Sequence, residues 1–184
     1  MDMKNPEYLK IENIVASGAI ADSIDLEVIS TTIENCELNK KRFPGAVYRI
    51  QDPKIAMLIF SSGKVVLTGV KSNDALKIGL DHLVTKLKEA GIACYEEPRV
   101  AITNMVCSYD MGNKINLNKV VMTLSLENIE YEPEQFPGLV YRIPEPKIVA
   151  LLFSSGKIIL TGGKNMEDVK LGLAFLEQKI GSIM

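Results

Sequence analysis

His82 is the chain's sole histidine, and its three cysteines, Cys36, Cys94 and Cys107, stand far apart. A tetrahedral zinc site draws on closely spaced Cys and His pairs, and a histidine base needs a nucleophile beside it. Neither pattern is present. Gly162-Gly163 follows a strand-like run but lacks the companion glycines of a phosphate-cradling loop. An odd cysteine count, with no apolar leader core in Met1 to Lys10, points to reduced thiols in a cytoplasm. What remains is chemistry of contact rather than turnover, carried by aromatic rings, amides, hydroxyls and cations. No enzymatic activity, metal or cofactor is expected.

Those contact groups come in two sets. Residues 43–69 and 136–162 align without a gap at an offset of 93, with 19 of 27 positions identical. Phe43-Pro44-Gly45 recurs as Phe136-Pro137-Gly138, and Val47-Tyr48-Arg49-Ile50 as Val140-Tyr141-Arg142-Ile143. Pro53-Lys54-Ile55 returns as Pro146-Lys147-Ile148, Phe60 to Lys64 as Phe153 to Lys157, and Leu67-Thr68-Gly69 as Leu160-Thr161-Gly162. Upstream the offset is 91, with Ile11 to Val15 answering Ile102 to Val106. Two copies are too few for a solenoid. The pattern reads as an intramolecular dimer, residues 1–92 and 93–184, sharing one sheet about a pseudo-two-fold axis.

The elements that carry these groups follow from periodicity. One copy reads as a strand over Tyr8 to Ser17, a short helix capped by Ser23 or Asp25, and β-rich segments at 46–50, 54–60 and 64–69. Turns fall at Asp52-Pro53 and Ser62-Gly63. Ser72 or Asn73 then caps a helix through Glu89, with Leu76, Leu80, Leu83, Val84 and Leu87 on one face and Gly91 ending it. The second copy repeats the order, its last helix spanning about Met166 to Ile180. The 184 residues are 47% apolar and 24% charged, a globular balance, and no run approaches the roughly 18 apolar residues of a membrane helix. Twenty-one basic against 23 acidic residues give a net charge of -2. A chain basic overall is thereby excluded, but a basic stripe on one face is not.

The helices can cover one sheet face only. Assigning that face to Ile14, Ile55, Met57, Ile59, Val65 and Leu67 leaves Asn13, Val15, Leu58, Phe60, Val66 and Thr68 on the other. Copy two leaves Asn104, Val106, Leu151, Phe153, Ile159 and Thr161. An antiparallel sheet that meets water should turn polar on that side; this one stays apolar, dotted with amides and hydroxyls. Arg42, Arg49, Lys54, Lys64, Arg142, Lys147 and Lys157 rim it. A broad apolar patch marks a binding surface, and the rim suits a polyanion.

The twin I-x-N-[IM]-V, FPG-x-VYRI, P-K-I, F-S-S-G-K and L-T-G blocks closely resemble the core domain of the TATA-box-binding proteins, in their archaeal form. The likeness covers nearly the whole chain in both halves. It implies an α+β saddle: a curved antiparallel sheet of about ten strands, with four helices on the convex face. The concave face would bind the minor groove of A·T-rich TATA-box DNA in a general transcription initiation factor. By motif position Phe43, Phe60, Phe136 and Phe153 would intercalate as wedges, a use of apolar side chains for which this family is itself a standard example. Asn13, Val15, Leu58, Val66 and Thr68, with Asn104, Val106, Leu151, Ile159 and Thr161, would meet the base edges. Arg42, Arg49, Ser62, Lys64, Arg142, Lys147, Ser155 and Lys157 would meet phosphates.

The copies diverge before the FPG blocks. Asn39-Lys40-Lys41-Arg42 is basic where Glu132-Pro133-Glu134-Gln135 is acidic. A basic partner would therefore dock on the second copy; the resemblance implies transcription factor B at Glu132, Glu134 and Gln135, with RNA polymerase assembled behind it. Two other readings of the apolar face stand beside this one. It could hold a small molecule, or it could be a protein-interaction surface, including a weak homodimer through the concave face. No membrane partner is expected.

Overall fold

The computed structural model describes residues 8–124, 128–181 and 183. Of the N-terminal stretch weighed as a leader, Met1 to Glu7 lies outside the described residues. The elements run β1 (Lys10–Ala19), α1 (Leu26–Thr32), β2 (Cys36–Leu38), β3 (Ala46–Gln51), β4 (Lys54–Ile59), β5 (Lys64–Val70) and α2 (Asn73–Glu89). They continue β6 (Arg99–Asp110), α3 (Leu117–Thr123), β7 (Ile129–Glu130), β8 (Leu139–Ile143), β9 (Ile148–Leu152), β10 (Lys157–Gly163) and α4 (Met166–Gly181). This is the α+β class expected, ten antiparallel strands and four helices among the described residues.

Residues divide by contact into two compact units, Asn13–Thr103 and Met1–Glu12 with Asn104–Met184. In the first, the strands lie in the order β2-β3-β4-β5-β1; in the second, in the order β6-β10-β9-β8-β7. Tight hairpins join β3 to β4 and β4 to β5, and their equivalents join β8 to β9 and β9 to β10.

Local chemistry sets the helix ends. Asp25 Oδ1 accepts from the Glu27 and Val28 N–H groups at 3.1 and 3.3 Å, and Asn116 Oδ1 from Lys119 N–H at 3.1 Å. Ser72 Oγ accepts from Ala75 N–H at 3.0 Å, and Asn165 Oδ1 from Asp168 N–H at 2.8 Å. Each contact satisfies an amide that the first helical turn leaves unpaired.

The core lies between each unit's sheet and its helices. Ile14, Ile55, Met57, Ile59, Val65 and Leu67 are buried, as assigned from alternation, and Leu83 and Leu87 of α2 lie with them in the core. Leu76, Leu80 and Val84 are half-buried. In the second unit Met105, Cys107, Ile148, Ala150, Leu152, Ile158 and Leu160 take the equivalent places. Tyr48 and Tyr141 are buried at matched positions; the Tyr48 hydroxyl lies 2.7 Å from His82 Nε2, which occupies the histidine in packing.

Three local readings change. The first strand starts at Lys10 and runs to Ala19, later than its apolar pattern suggested. β4 ends at Ile59, so Phe60 sits in the hairpin, where its N–H donates to Lys64 O at 2.9 Å. The edge strands β2 and β7 are three and two residues long, too short for alternation to reveal.

Candidate nucleic-acid interface

The opposite face of each sheet is half-exposed, and register lines its side chains up in rows. In the first unit Glu37, Val47, Leu58, Val66 and Ser17 stand directly across from one another. In the second the same row reads Glu130, Val140, Leu151, Ile159 and Ser108. The next row is Arg49, Ala56 and Thr68 in one unit, and Arg142, Val149, Thr161 and Val106 in the other. Leu58, Val66, Thr68, Leu151, Ile159 and Thr161 are thus brought onto one face of their respective units. Sequence reasoning left out Val47, Ala56, Val140 and Val149. Their parity relative to buried Tyr48, Met57, Tyr141 and Ala150 was the signal that would have found them.

A bulge positions the amides. The β1–β5 register shifts between Ile14 and Ala16, and the β10–β6 register between Thr161 and Gly163. Gly69 and Gly162 stand there with φ of 85° and 96°, a left-handed conformation that favours glycine. Their N–H groups donate to Asn13 Oδ1 at 2.8 Å and Asn104 Oδ1 at 2.7 Å. Each Asn oxygen thus accepts from the backbone, and Asn104 Oδ1 also lies 3.5 Å from the Thr161 hydroxyl. Its NH2 lies beside a threonine hydroxyl, Nδ2 to Oγ1 being 3.5 Å at Thr68 and 3.4 Å at Thr161. One amide hydrogen per Asn is left to donate from this face.

The phenylalanines form two pairs. Phe43 and Phe60 meet edge to face with centroids 5.5 Å apart, Phe136 and Phe153 at 5.9 Å. Phe136 is exposed by 40%, a large apolar surface to leave in water. A glycine lies under each pair. A Cβ on Gly45 would come within 2.9 Å of Phe43, and one on Gly138 within 2.6 Å of Phe136 and 3.0 Å of Phe153. The rings close over bare backbone.

Arg42, Arg49, Lys54, Ser62 and Lys64 are exposed, as are Arg142, Lys147, Ser155 and Lys157. A recess of about 510 Å³ beside Asn13 and Thr68 is bounded by Arg49, Lys54 and Lys71. Arg142 Nη2 lies 3.6 Å from Glu130 Oε1, both well exposed, so water screens the pair. Glu132, Glu134 and Gln135 are exposed on their turn, where the Gln135 and Phe136 N–H groups donate to Glu132 O at 2.9 and 3.0 Å. A larger cavity, about 550 Å³, lies by Tyr48 and His82, and none of Asn13, Val15, Leu58, Val66 or Thr68 lines it.

Titration adds nothing nucleophilic to this face. Burial pushes the Cys36 and Cys107 thiols up to about 11, with Glu12 adding to the effect at Cys107. Burial also raises Cys94, opposed by Lys88, and is the leading cause at Tyr48 and Tyr141. The Tyr95 hydroxyl donates to Asp22 Oδ1 at 2.7 Å, which raises it. Among the described residues no group of three His, Cys, Asp or Glu could hold a metal ion, and no helix is long and apolar enough to cross a membrane.

Two segments, residues 8–90 and 99–182, match the family model described as transcription factor TFIID, or TATA-binding protein. The chain is 49% identical over 175 residues to TATA-box-binding protein 1 of Methanosarcina acetivorans, covering 95% of this chain and 96% of that one. It is 46% identical over 184 residues to the TATA-box-binding protein of Picrophilus torridus, covering 98% and 100%. The solved structure of Methanococcus jannaschii TBP superposes with a TM-score of 0.86 at 46% identity, covering 95% of this chain and 99% of that one.

Proposed function

The chain belongs to the TATA-binding-protein family, whose members are DNA-binding transcription factors rather than enzymes, and we propose that it initiates transcription by binding the minor groove of A·T-rich promoter DNA and kinking it. The observation that carries this reading is a sheet face left half-exposed while lined by Val15, Leu58 and Val66, and by Val106, Leu151 and Ile159.

The minor groove shows acceptors at adenine N3 and thymine O2, and a guanine there adds a donor. Against valine and leucine that amine loses its water and finds no acceptor, a cost of about 1–3 kcal/mol. The Nδ2 groups of Asn13 and Asn104 donate to the central acceptors, and the hydroxyls of Thr68 and Thr161 beside them add one donor each. Phe43 with Phe60, and Phe136 with Phe153, enter flexible base steps and unstack them; the larger contact made by bent DNA offsets the cost. Exposed Arg42, Arg49, Ser62, Lys64, Arg142, Lys147, Ser155 and Lys157 grip phosphates, which gives affinity without reading sequence.

The duplication is proposed to divide the chain at 92/93; each family-model match falls inside one of those spans. Glu132, Glu134 and Gln135 recruit the basic transcription factor B, and through it RNA polymerase.

A short A·T-rich duplex and a G·C-rich one, labelled at both ends, test the central claim by binding and fluorescence transfer. The A·T duplex should bind and its ends approach. Equal binding of both duplexes without bending overturns the reading, and self-association that A·T DNA fails to compete away would assign the face to a homodimer instead. For the partner site, Glu132→Gln with Glu134→Gln should keep DNA binding and lose transcription factor B; loss of DNA binding contradicts that division.

A further inference from the structure

We infer that the loop Asn39 to Arg42 is a phosphate clamp for the duplex flanking the bound site on the Phe43 side, and that the equivalent loop of the second unit is built to refuse that role. The inference rests on the DNA-binding reading above and adds a second region of DNA contact to it.

The two loops share one backbone. In the first, the Arg42 and Phe43 N–H groups both donate to Asn39 O at 3.0 Å. In the second, the Gln135 and Phe136 N–H groups donate to Glu132 O at 2.9 and 3.0 Å. The turn therefore fixes the loop relative to the wedge that follows it, in both units alike. On the first turn Asn39 adds a side-chain cap, its Oδ1 accepting from Lys41 N–H at 3.2 Å. Wherever Phe43 goes, Lys40, Lys41 and Arg42 arrive within one turn of chain.

The side chains are opposite in kind. Three successive cations stand on the first turn, and Glu132 and Glu134 on the second. Lys40 Nζ is 2.9 Å from Glu27 Oε1, with the two side chains 66% and 72% exposed. A carboxylate so wet holds its partner weakly, and a phosphate oxygen can take its place. Backbone phosphates past the Phe43 wedge would meet up to three cations. Past the Phe136 wedge they would meet carboxylates, and like charge repels them. The consequence is directional: one flank of the site contributes affinity and the other does not.

A palindromic A·T-rich core, bare or extended by about one helical turn (~10 base pairs) of mixed sequence on one side or both, reads this out. One flank should tighten binding by on the order of tenfold at 0.1 M salt, and a second flank should add no more than the roughly twofold statistical factor of two equivalent orientations. Lys40→Gln with Lys41→Gln should erase the flank effect and make the salt slope on flanked DNA shallower by about 2, leaving bare-core affinity and bending unchanged. Glu132→Lys with Glu134→Lys should make the second flank count as much as the first. If the lysine variant keeps the flank gain, or if a second flank tightens wild-type binding as much as the first, the clamp is wrong. A wild type that bends the core but ignores both flanks overturns the clamp alone; one that binds no A·T duplex overturns the DNA-binding reading with it.

Discussion

Set side by side, the two units repeat the geometry of a contact and vary its direction. Both have an Asn oxygen tied to a bulged glycine, a phenylalanine pair closed over a second glycine, and an aliphatic row across three strands, Val47-Leu58-Val66 in one and Val140-Leu151-Ile159 in the other. They part at the turns before those pairs, basic at 39–42 and acidic at 132–135. The two strands of an A·T-rich duplex offer nearly the same acceptors to either half, so equal reading surfaces suit it. Direction cannot come from such a surface. It has to come from positions free to differ, and the turns are exposed, tolerate any charge, and lie next to the wedges.

The comparison is broken most forcefully at the wedges. Phe60→Ala and Phe153→Ala should each weaken binding to an A·T duplex by on the order of a hundredfold and reduce the end-to-end approach by a similar share, since each removes one unstacking wedge. Thermal unfolding should record only the lost ring pair, about 1 kcal/mol in either unit. A large effect in one unit and none in the other would show that the halves do not work alike.

The glycines under the rings sharpen the contrast in stability. On Gly45 a Cβ would meet Ile59 O at 2.7 Å as well as the Phe43 ring, whereas on Gly138 its nearest neighbours, from 2.6 to 3.2 Å, are phenylalanine ring atoms. Backbone has less room to yield than a ring. Gly45→Ala should cost about 2 kcal/mol and Gly138→Ala about 1, measured by denaturant unfolding. The reverse order would mean the rings are the more rigid neighbours.

A smaller asymmetry is expected at the bulges. Asn13→Ala leaves the part-buried Gly69 N–H without its acceptor, while Asn104→Ala does the same to the exposed Gly162 N–H, which water can reach. The first should cost about 1–2 kcal/mol and the second under about 1. Equal losses would place both amides in the same environment.

The buried face was legible because side chains alternate along a strand, with Lys64 and Thr68 marking the opposite parity of β5; in 55–60 both parities are apolar and the sequence pattern alone does not tell them apart. The helix caps at Asp25 and Ser72 were equally legible, being local. Two kinds of feature were not. The edge strands at Cys36–Leu38 and Ile129–Glu130 are held by pairing to β3 and β8, which no short window contains. Asn13 was singled out for the base edges, but that its oxygen accepts from Gly69, 56 residues away, depends on the bulge between Ile14 and Ala16. Long-range register, not residue type, decides which way that amide faces. The shared turn at 39 and 132 was hidden too, because opposite charges masked a common backbone.

The mildest comparison concerns the thiols. Each unit buries one cysteine where the other has hydrocarbon: Cys36 pairs with Tyr48 as Ile129 pairs with Tyr141, and Cys107 stands against Leu160 as Ala16 stands against Leu67. Burial raises both thiols from an ordinary value of 9.0 to about 11. The folded chain therefore favours the protonated form. Their contribution is whole below pH 9, where folded and unfolded thiols are both neutral, and is lost as pH rises through about 11. At pH 7 Cys36→Val and Cys107→Ala should show only packing differences, with no charge component. Between pH 9 and 11 the wild type should lose stability faster than the double variant; the raised Tyr141 adds the same background slope to both, whereas at Tyr48 the variant also removes the Cys36 charge that helps burial raise it. Alkylation at pH 8 gives the complementary readout, with half-exposed Cys94 modified first and the buried pair protected until unfolding. Parallel pH profiles for wild type and variant would show that the thiols are already solvated in the fold, and that each unit's core is looser at Cys36 and Cys107 than at the hydrocarbon in its counterpart.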